Sequence, residues 1–136
     1  MKKRLESDLQ DEVKQLLTKK RVYHWRFQAQ SNLNGIPDIL CLYKGFFIGL
    51  ELKRPKQGKP TDLQLRTIKA INDNGGIGIV VDQLIDVERL IDVIDDYYYC
   101  DNIYAENILE YYEIRKNLWK EVKNMKRLKV KRLIGI

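Results

Sequence analysis

The chain has 136 residues, a net charge of +6 and 44% hydrophobic residues. This length and composition indicate one globular domain with an appendage, and they exclude a disordered chain; no apolar run approaches the ~20 residues of a membrane helix. The basic N-terminus lacks the apolar segment of a signal peptide, and two isolated cysteines favour a reducing cytoplasm over a disulfide framework.

A helix is predicted from Ser7, because Ser7 and Gln10 have the spacing of a capping box. Its apolar stripe follows helical spacing and consists of Leu5, Leu9, Val13, Leu16 and Leu17. Glu12 lies at the margin of this stripe rather than on the solvent face. Such an acid is either an ordinary surface residue or a site residue that reaches inward, and the pattern alone favours the surface residue.

Aromatic and polar residues alternate after this helix, which indicates a half-buried strand. The aromatic and apolar set is Tyr23, Trp25, Phe27 and Ala29, and the polar set is His24, Arg26, Gln28 and Gln30. We expect the rings to belong to the core, with base stacking as the less favoured alternative. Residues 31–35 then form a turn.

Two short apolar runs flank Lys44 and Gly45, which predicts a β-hairpin whose glycine supplies the positive φ of a two-residue turn. In that register Asp38 lies directly opposite Glu51, where like charges about 5 Å apart destabilise a sheet. A divalent cation between the carboxylates turns this cost into binding energy. Lys53 points to the same face as Glu51 and completes a charged cluster.

The two faces of this hairpin differ. One face is apolar or aromatic and is predicted to be core: Ile39, Cys41, Tyr43, Phe46, Ile48, Leu50 and Leu52. The other face mixes apolar residues with the charged cluster: Asp38, Leu40, Leu42, Phe47, Gly49, Glu51 and Lys53. Ligands on rigid strands beside apolar walls favour a metal site.

A basic loop over residues 54–60 follows Lys53 directly. It is either a solvated turn or a phosphate contact through Arg54, Lys56 and Lys59, and its position beside the carboxylates favours phosphate contact.

Thr61 and Gln64 repeat the capping-box spacing and predict a second helix with an apolar stripe of Leu65, Ile68 and Ile71. The apolar run at residues 77–81 predicts a strand in the centre of the sheet. Further helices are predicted over residues 84–98 and 103–128, with a junction at residues 97–102 between them. Residues 126–136 fit a helix, a strand or a tail equally well.

The predicted order is αβββαβ followed by helices. Pro37-Asp38 followed by Glu51-Leu52-Lys53 resembles the signature of the PD-(D/E)XK nucleases, whose core has this order. More narrowly, Gly35-Ile36-Pro37-Asp38 with Gln64 at a helix start resembles the VRR-NUC (virus-type replication-repair nuclease) family. The resemblance covers about residues 5–82.

This resemblance implies an α/β fold with a mixed central sheet flanked by helices. We expect a nuclease domain at residues 1–96 and a basic helical extension at residues 97–136 that serves dimerisation or DNA contact. Residues 82–114 are acidic, and the helix predicted over residues 84–98 has an acidic polar side that should face away from any nucleic acid.

The resemblance also implies roles for individual residues. Asp38, Glu51 and the main-chain carbonyl of Leu52 would ligate Mg²⁺ or Mn²⁺, and Glu12 would be the acid that the first helix adds. Lys53 would position or activate the attacking water, and Gln64 would hold the water or the phosphate. DNA would be contacted by Arg54, Lys56, Lys59 and Arg26.

The expected function is a metal-dependent, structure-selective DNA endonuclease that resembles four-way junction resolvases and acts as a homodimer in phage or mobile-element replication and repair. The expected partner is branched or duplex DNA. The expected compartment is the cytoplasm of a bacterial or phage-infected cell. One alternative is a nucleic-acid-binding module that keeps the fold without catalysis. Another is an interaction protein that uses the acidic helices.

Overall fold

A computed structural model describes residues 6–26, 35–54, 58–100, 107–118 and 120. Its elements are α1 (Glu6–Lys19), β1 (Tyr23–Arg26), β2 (Ile39–Tyr43), β3 (Phe46–Leu52), α2 (Asp62–Asp73), β4 (Ile77–Val81) and α3 (Leu84–Cys100). A further helix, α4, covers residues 108–118. The predicted αβββαβ order is confirmed, whereas predictions for residues 27–34 and 121–136 lie outside the described residues. None of the described helices is long and apolar enough to cross a membrane.

The hairpin between β2 and β3 forms as predicted. Lys44 and Gly45 have φ angles of 48° and 85°, so both turn residues adopt the positive φ of a type I′ turn. The ladder runs from Tyr43 opposite Phe46 to Ile39 opposite Leu50. The predicted register is therefore confirmed.

The turn is anchored to α3 by polar and aromatic contacts. The Lys44 ammonium lies 2.5 Å from the Asp95 carboxylate and 4.3 Å from the centre of the Tyr99 ring. The Tyr43 hydroxyl donates to the same carboxylate at 2.6 Å. These contacts keep the hairpin in one orientation against the helical layer.

The sheet has the order β1-β2-β3-β4, with antiparallel pairs except for the parallel pair β3–β4. The prediction that residues 77–81 lie in the centre of the sheet is wrong, because β4 is at the edge among the described strands. Helices α2 and α3 both pack against β4, one on each face of the sheet. This packing accounts for the apolar sequence of β4 without a second neighbouring strand.

The core lies between the sheet and the layer formed by α1 and α3. From the helices it takes buried residues that include Leu9, Val13, Leu17, Leu90 and Ile94. From the hairpin it takes Ile39, Cys41, Ile48, Leu50 and Leu52, with Tyr43 and Phe46 packed against it. The apolar face of the hairpin is therefore core, as predicted. Burial raises the pKa of Cys41 to about 12, so its thiol behaves as a small apolar group.

Two predictions near the N-terminus are wrong. The helix already includes Glu6, so Ser7 is not its cap. Gln10 is buried, and its amide oxygen has no hydrogen-bond partner within the described part of the chain. Tyr23 is 70% exposed rather than part of the core, because the helical layer covers the opposite face of the sheet.

The prediction of a junction at residues 97–102 is wrong for residues 97–100, because α3 continues to Cys100. Helix α4 returns to the same core and buries Ile108, Tyr111 and Tyr112. The division of the chain at residues 96 and 97 stays a prediction.

Helix α2 packs across the other face of the sheet, against β3 and β4. A Cβ at Gly78 would lie 2.9 Å from the backbone oxygen of Ile68, and one at Gly49 would lie 2.8 Å from the Cδ1 atom of Ile71. The Asn72 side chain adds a pair of hydrogen bonds to the backbone of Gly78. Glycine at these positions allows the close approach of helix and sheet.

We predict that Gly78→Ala lowers the free energy of unfolding by about 1–3 kcal/mol, because its methyl group would overlap the helix backbone. Urea unfolding followed by circular dichroism measures this difference.

The control is Leu65→Ala, which removes a 46% exposed side chain from the same helix and should change stability by about 0.5 kcal/mol or less. Equal stability of Gly78→Ala and the wild type would contradict the close packing of α2 on β4.

Candidate active site

Asp38 and Glu51 meet where β2 and β3 open away from their turn. One step beyond the last ladder pair, Ile39 with Leu50, the register places Asp38 opposite Glu51. The Asp38 carboxylate accepts a hydrogen bond of 2.8 Å from the backbone N–H of Leu52. Strand β3 therefore positions both acids: Glu51 is one of its residues, and Asp38 is hydrogen-bonded to its backbone at Leu52.

Glu51 is an acid in a core position, because it is only 1% exposed. Its Oε1 atom accepts a hydrogen bond of 2.6 Å from Gln64 and lies 3.4 Å from the Lys53 ammonium. Its Oε2 atom is buried and has no hydrogen-bond partner among the described residues. One half of this carboxylate is therefore satisfied and the other half is left without a partner.

These surroundings change the acidity of Glu51. Burial, with the nearby Asp38 carboxylate as the second cause, raises the pKa of Glu51 from 4.5 to about 7, although Lys53 acts in the opposite direction. Such a shift corresponds to roughly 3 kcal/mol between the two protonation states. A cation beside Glu51 would reverse the balance and favour the ionised form.

Gln64 reaches the site because it belongs to the N-terminal cap of α2. The Thr61 hydroxyl accepts a hydrogen bond from the Gln64 backbone, and the Gln64 Oε1 atom accepts one from the Thr61 backbone. The predicted capping box is confirmed. Because Oε1 is used in the cap, the Nε2 group is left to donate to Glu51.

Lys53 lies directly after β3, with a side chain that is 14% exposed. Gly58 packs closely against it, since a Cβ at Gly58 would lie 3.0 Å from the Lys53 Cβ. Arg54 and Lys59 flank it and are exposed. Lys56 lies outside the described residues.

Arg26 does not share the face of the two acids. It pairs with Ile39, whose side chain is in the core, so its position in the register is on the opposite face of the sheet. Its role in DNA contact stays a prediction, as do those of Arg54 and Lys59.

Glu12 does not complete a cluster of three metal ligands with Asp38 and Glu51. Among the described residues, no three acidic, histidine or cysteine side chains form a group that could hold a metal ion. The buried polar residue of α1 is Gln10, which the sequence analysis assigned to a cap instead. The metal-binding role of Glu12 stays a prediction.

The residues present nevertheless fit Mg²⁺ or Mn²⁺. Mg²⁺ is commonly held by one or two carboxylates while water and substrate phosphate fill the remaining positions, so a cage of three acids is not required. The unpartnered Oε2 of Glu51 is an available hard oxygen ligand beside Asp38. The Leu52 carbonyl remains a predicted further ligand.

Sequence reasoning missed one wall of this site. Val80 on β4 pairs with Glu51 in the parallel ladder, so it lies on the same face, and it is 39% exposed. Only the pairing of β3 with β4 places this apolar side chain beside the carboxylate. No local sequence signal indicates it.

Comparisons with known proteins bear on the fold. No protein-family model and no curated protein matches the chain. A solved structure described as "VRR_NUC domain" matches it with a TM-score of 0.55 and 24% sequence identity, over 64% of this chain and 94% of that one. The chain therefore has an α/β fold like that of this VRR_NUC domain, a mixed sheet flanked by helices. This agrees with the resemblance found in the sequence.

We predict that the metal-free protein loses stability as the pH rises from about 4.5 to about 7. The raised pKa of Glu51 means that folding favours its protonated form, so this contribution is complete below 4.5 and is lost as the pH passes 7. Mg²⁺ should therefore raise the melting temperature more at about pH 8 than at about pH 5. Differential scanning fluorimetry with and without Mg²⁺ measures both effects.

Glu51→Gln is the informative variant, because it removes the titrating group while keeping the amide contact possible. It should flatten the pH dependence and abolish the Mg²⁺ effect. A Mg²⁺ effect that survives in this variant would contradict the assignment of Glu51 as a ligand.

We further predict that Thr61→Ala costs about 1 kcal/mol of stability, because the hydroxyl that caps α2 is lost. Thr67→Ala is the matched control, since the Thr67 hydroxyl only donates to the Leu63 carbonyl within the same helix. Thermal unfolding of the two variants compares them. An equal effect of both would argue against a special role for the cap.

Proposed function

We propose that this protein is a metal-dependent endodeoxyribonuclease that hydrolyses phosphodiester bonds. The observation that carries the proposal is the buried carboxylate of Glu51, with one unpartnered oxygen, beside Asp38. A fold without a use for this pair would gain stability by replacing it. The VRR_NUC-like fold and the Gly35-Ile36-Pro37-Asp38 motif support the same conclusion.

Each side chain has a role that follows from its position. Asp38 and Glu51 would hold the metal ion, together with the Leu52 carbonyl and water. When bound, the ion would supply Lewis acidity at the phosphoryl oxygens and lower the pKa of the attacking water. Lys53, fixed against Glu51 and mostly buried, would neutralise negative charge that develops on the phosphate.

Gln64 has a positioning role in this proposal. Its Nε2 group fixes the Glu51 carboxylate, and its Oε1 atom is held by the capping box, so the side chain cannot rotate freely. The helix start thereby orients the ligand. In the presence of substrate the same amide could hold the water or the phosphate.

The finer details rest on the family resemblance. We propose that the substrate is branched DNA, such as a four-way junction, in phage or mobile-element replication and repair. Symmetric cleavage of a junction needs two sites, so we propose a homodimer. The proposed compartment is the cytoplasm of a bacterial or phage-infected cell.

The decisive experiment is cleavage of a panel of labelled DNA substrates (single strand, duplex, flap, splayed arm and four-way junction) with Mg²⁺, with Mn²⁺ and with a chelator. Asp38→Asn and Lys53→Met should each lower the cleavage rate by at least about 10²-fold, because each removes charge from the reacting centre. DNA binding in the chelator should persist in both variants.

The control is Asp92→Asn, which changes an exposed acid on α3 that pairs with Lys20. It should cleave as the wild type does. If the wild type binds DNA but cuts no substrate with either metal, the protein is a binding module. If it does not bind DNA at any salt concentration, the nucleic-acid assignment is wrong and an interaction role for the acidic helices gains support.

A further inference from the structure

An exposed apolar patch lies on the same face of the sheet as Asp38 and Glu51. It consists of the exposed side chains of Tyr23, Leu42 and Phe47 together with the partly buried Trp25, and it is called here the aromatic platform. The ladder aligns Tyr23, Leu42 and Phe47 in one row across three strands. They are 70%, 48% and 40% exposed, respectively. Large apolar side chains gathered on one surface commonly mark a binding site.

Trp25 connects this row to the candidate active site. It shares the face of Tyr23, and the centres of the two rings are 5.6 Å apart in a tilted arrangement. Its partner in the ladder is Leu40, which lies between Asp38 and Leu42 on the same face. Asp38 and Leu42 are four residue steps apart along the strand, a distance of about 13 Å. At the 3.4 Å spacing of a DNA strand this is roughly four base steps.

The platform is open because the helices cover the sheet unevenly. Helices α1 and α3 cover the opposite face, while α2 packs on the β3 and β4 side of the platform face. Close contacts at Gly49 and Gly78 hold α2 there. On the β1 and β2 side of this face, Tyr23 and Leu42 are exposed, and Phe47 and α2 line a groove of about 390 Å³.

Charge and position favour nucleic acid over a second copy of the chain as the occupant. The protein carries a net charge of +6, and two exposed cations belong to elements that border the platform: Arg21 lies two residues before Tyr23, and Arg66 lies on α2. The platform is continuous with the face that carries the two acids. A second copy docked on it would cover that face and restrict access of a polynucleotide to Glu51.

We propose that the aromatic platform stacks unpaired bases of the substrate. Among branched DNAs, those with a single-stranded segment within a few nucleotides of the scissile phosphate, such as flaps and splayed arms, are then bound in preference to a fully paired four-way junction. This inference rests on the proposed function for the position of that phosphate. Exposed rings on a sheet stack bases in other single-strand-binding folds, and each base contributes about 1–3 kcal/mol. Paired bases are stacked on each other and cannot lie flat on the rings.

The test measures binding of a fluorescent single-stranded oligonucleotide and of a blunt duplex by anisotropy, with a chelator present to prevent cleavage. Tyr23→Ala should weaken binding of the single strand by about 5- to 150-fold. Its effect on the duplex should be less than about two-fold. Tyr23→Phe keeps the ring and should bind as the wild type does.

The control is Ile85→Ala, which removes a 40% exposed apolar side chain from α3, the helix that covers the opposite face of the sheet. It should leave binding of the single strand unchanged. Binding should also quench tryptophan fluorescence, and the quenching should be lost in Trp25→Phe, which retains an aromatic ring.

Three results would overturn the proposal: unchanged single-strand binding in Tyr23→Ala, an equal loss for single strand and duplex, or a dimer that Tyr23→Ala converts to a monomer in analytical ultracentrifugation. The last result would assign the platform to a second copy. The outcome is separable from the proposed function. If cleavage depends on Asp38 but Tyr23→Ala does not change binding, only the role of the aromatic platform is refuted. If single-strand binding depends on Tyr23 but the protein cuts no DNA, only the nuclease activity is refuted.

Discussion

The turn at Lys44 and Gly45 is the constraint on which the rest of the structure depends. Because both residues adopt positive φ, the hairpin closes in a single register, and that register decides which side chains share a face. A shift by one residue would turn one strand over relative to the other, so that either Ile39 or Leu50 would leave the core and Asp38 and Glu51 would lie on opposite faces. The anchoring of Lys44 by Asp95 ties this local geometry to the helical layer.

The register places a carboxylate where a core residue would be more stable. The backbone N–H of Leu52 and the amide of Gln64 offset part of the cost of burying two acids, and Lys53 offsets a further part. One oxygen of Glu51 remains without a partner among the described residues. The buried, partly unpaired carboxylate therefore lowers the stability of the fold at the point where we propose that a cation and a phosphate bind. This is expected of a site whose negative charge is balanced only when its ligand is present.

The two faces of the sheet have different uses. The face under α1 and α3 is filled with branched apolar residues and provides the core. On the other face, Gly49 and Gly78 let α2 approach closely, which brings the cap of α2 and its Gln64 to the acids. The same placement of α2 to one side leaves Tyr23 and its neighbours exposed. The helix that completes the candidate site therefore also determines how much of the sheet is available to a partner.

The sequence by itself determined the order of the elements, the hairpin register and the capping box of α2, because each depends on neighbours in the chain and on backbone rules for glycine and for caps. It also brought Asp38, Glu51, Lys53 and Gln64 forward as one cluster. Only the tertiary structure decided that β4 lies at an edge among the described strands, that Tyr23 is exposed and that Val80 stands beside Glu51. These features depend on which elements pack together over long separations in the chain, and a local pattern of apolar and polar residues carries no information about the partner.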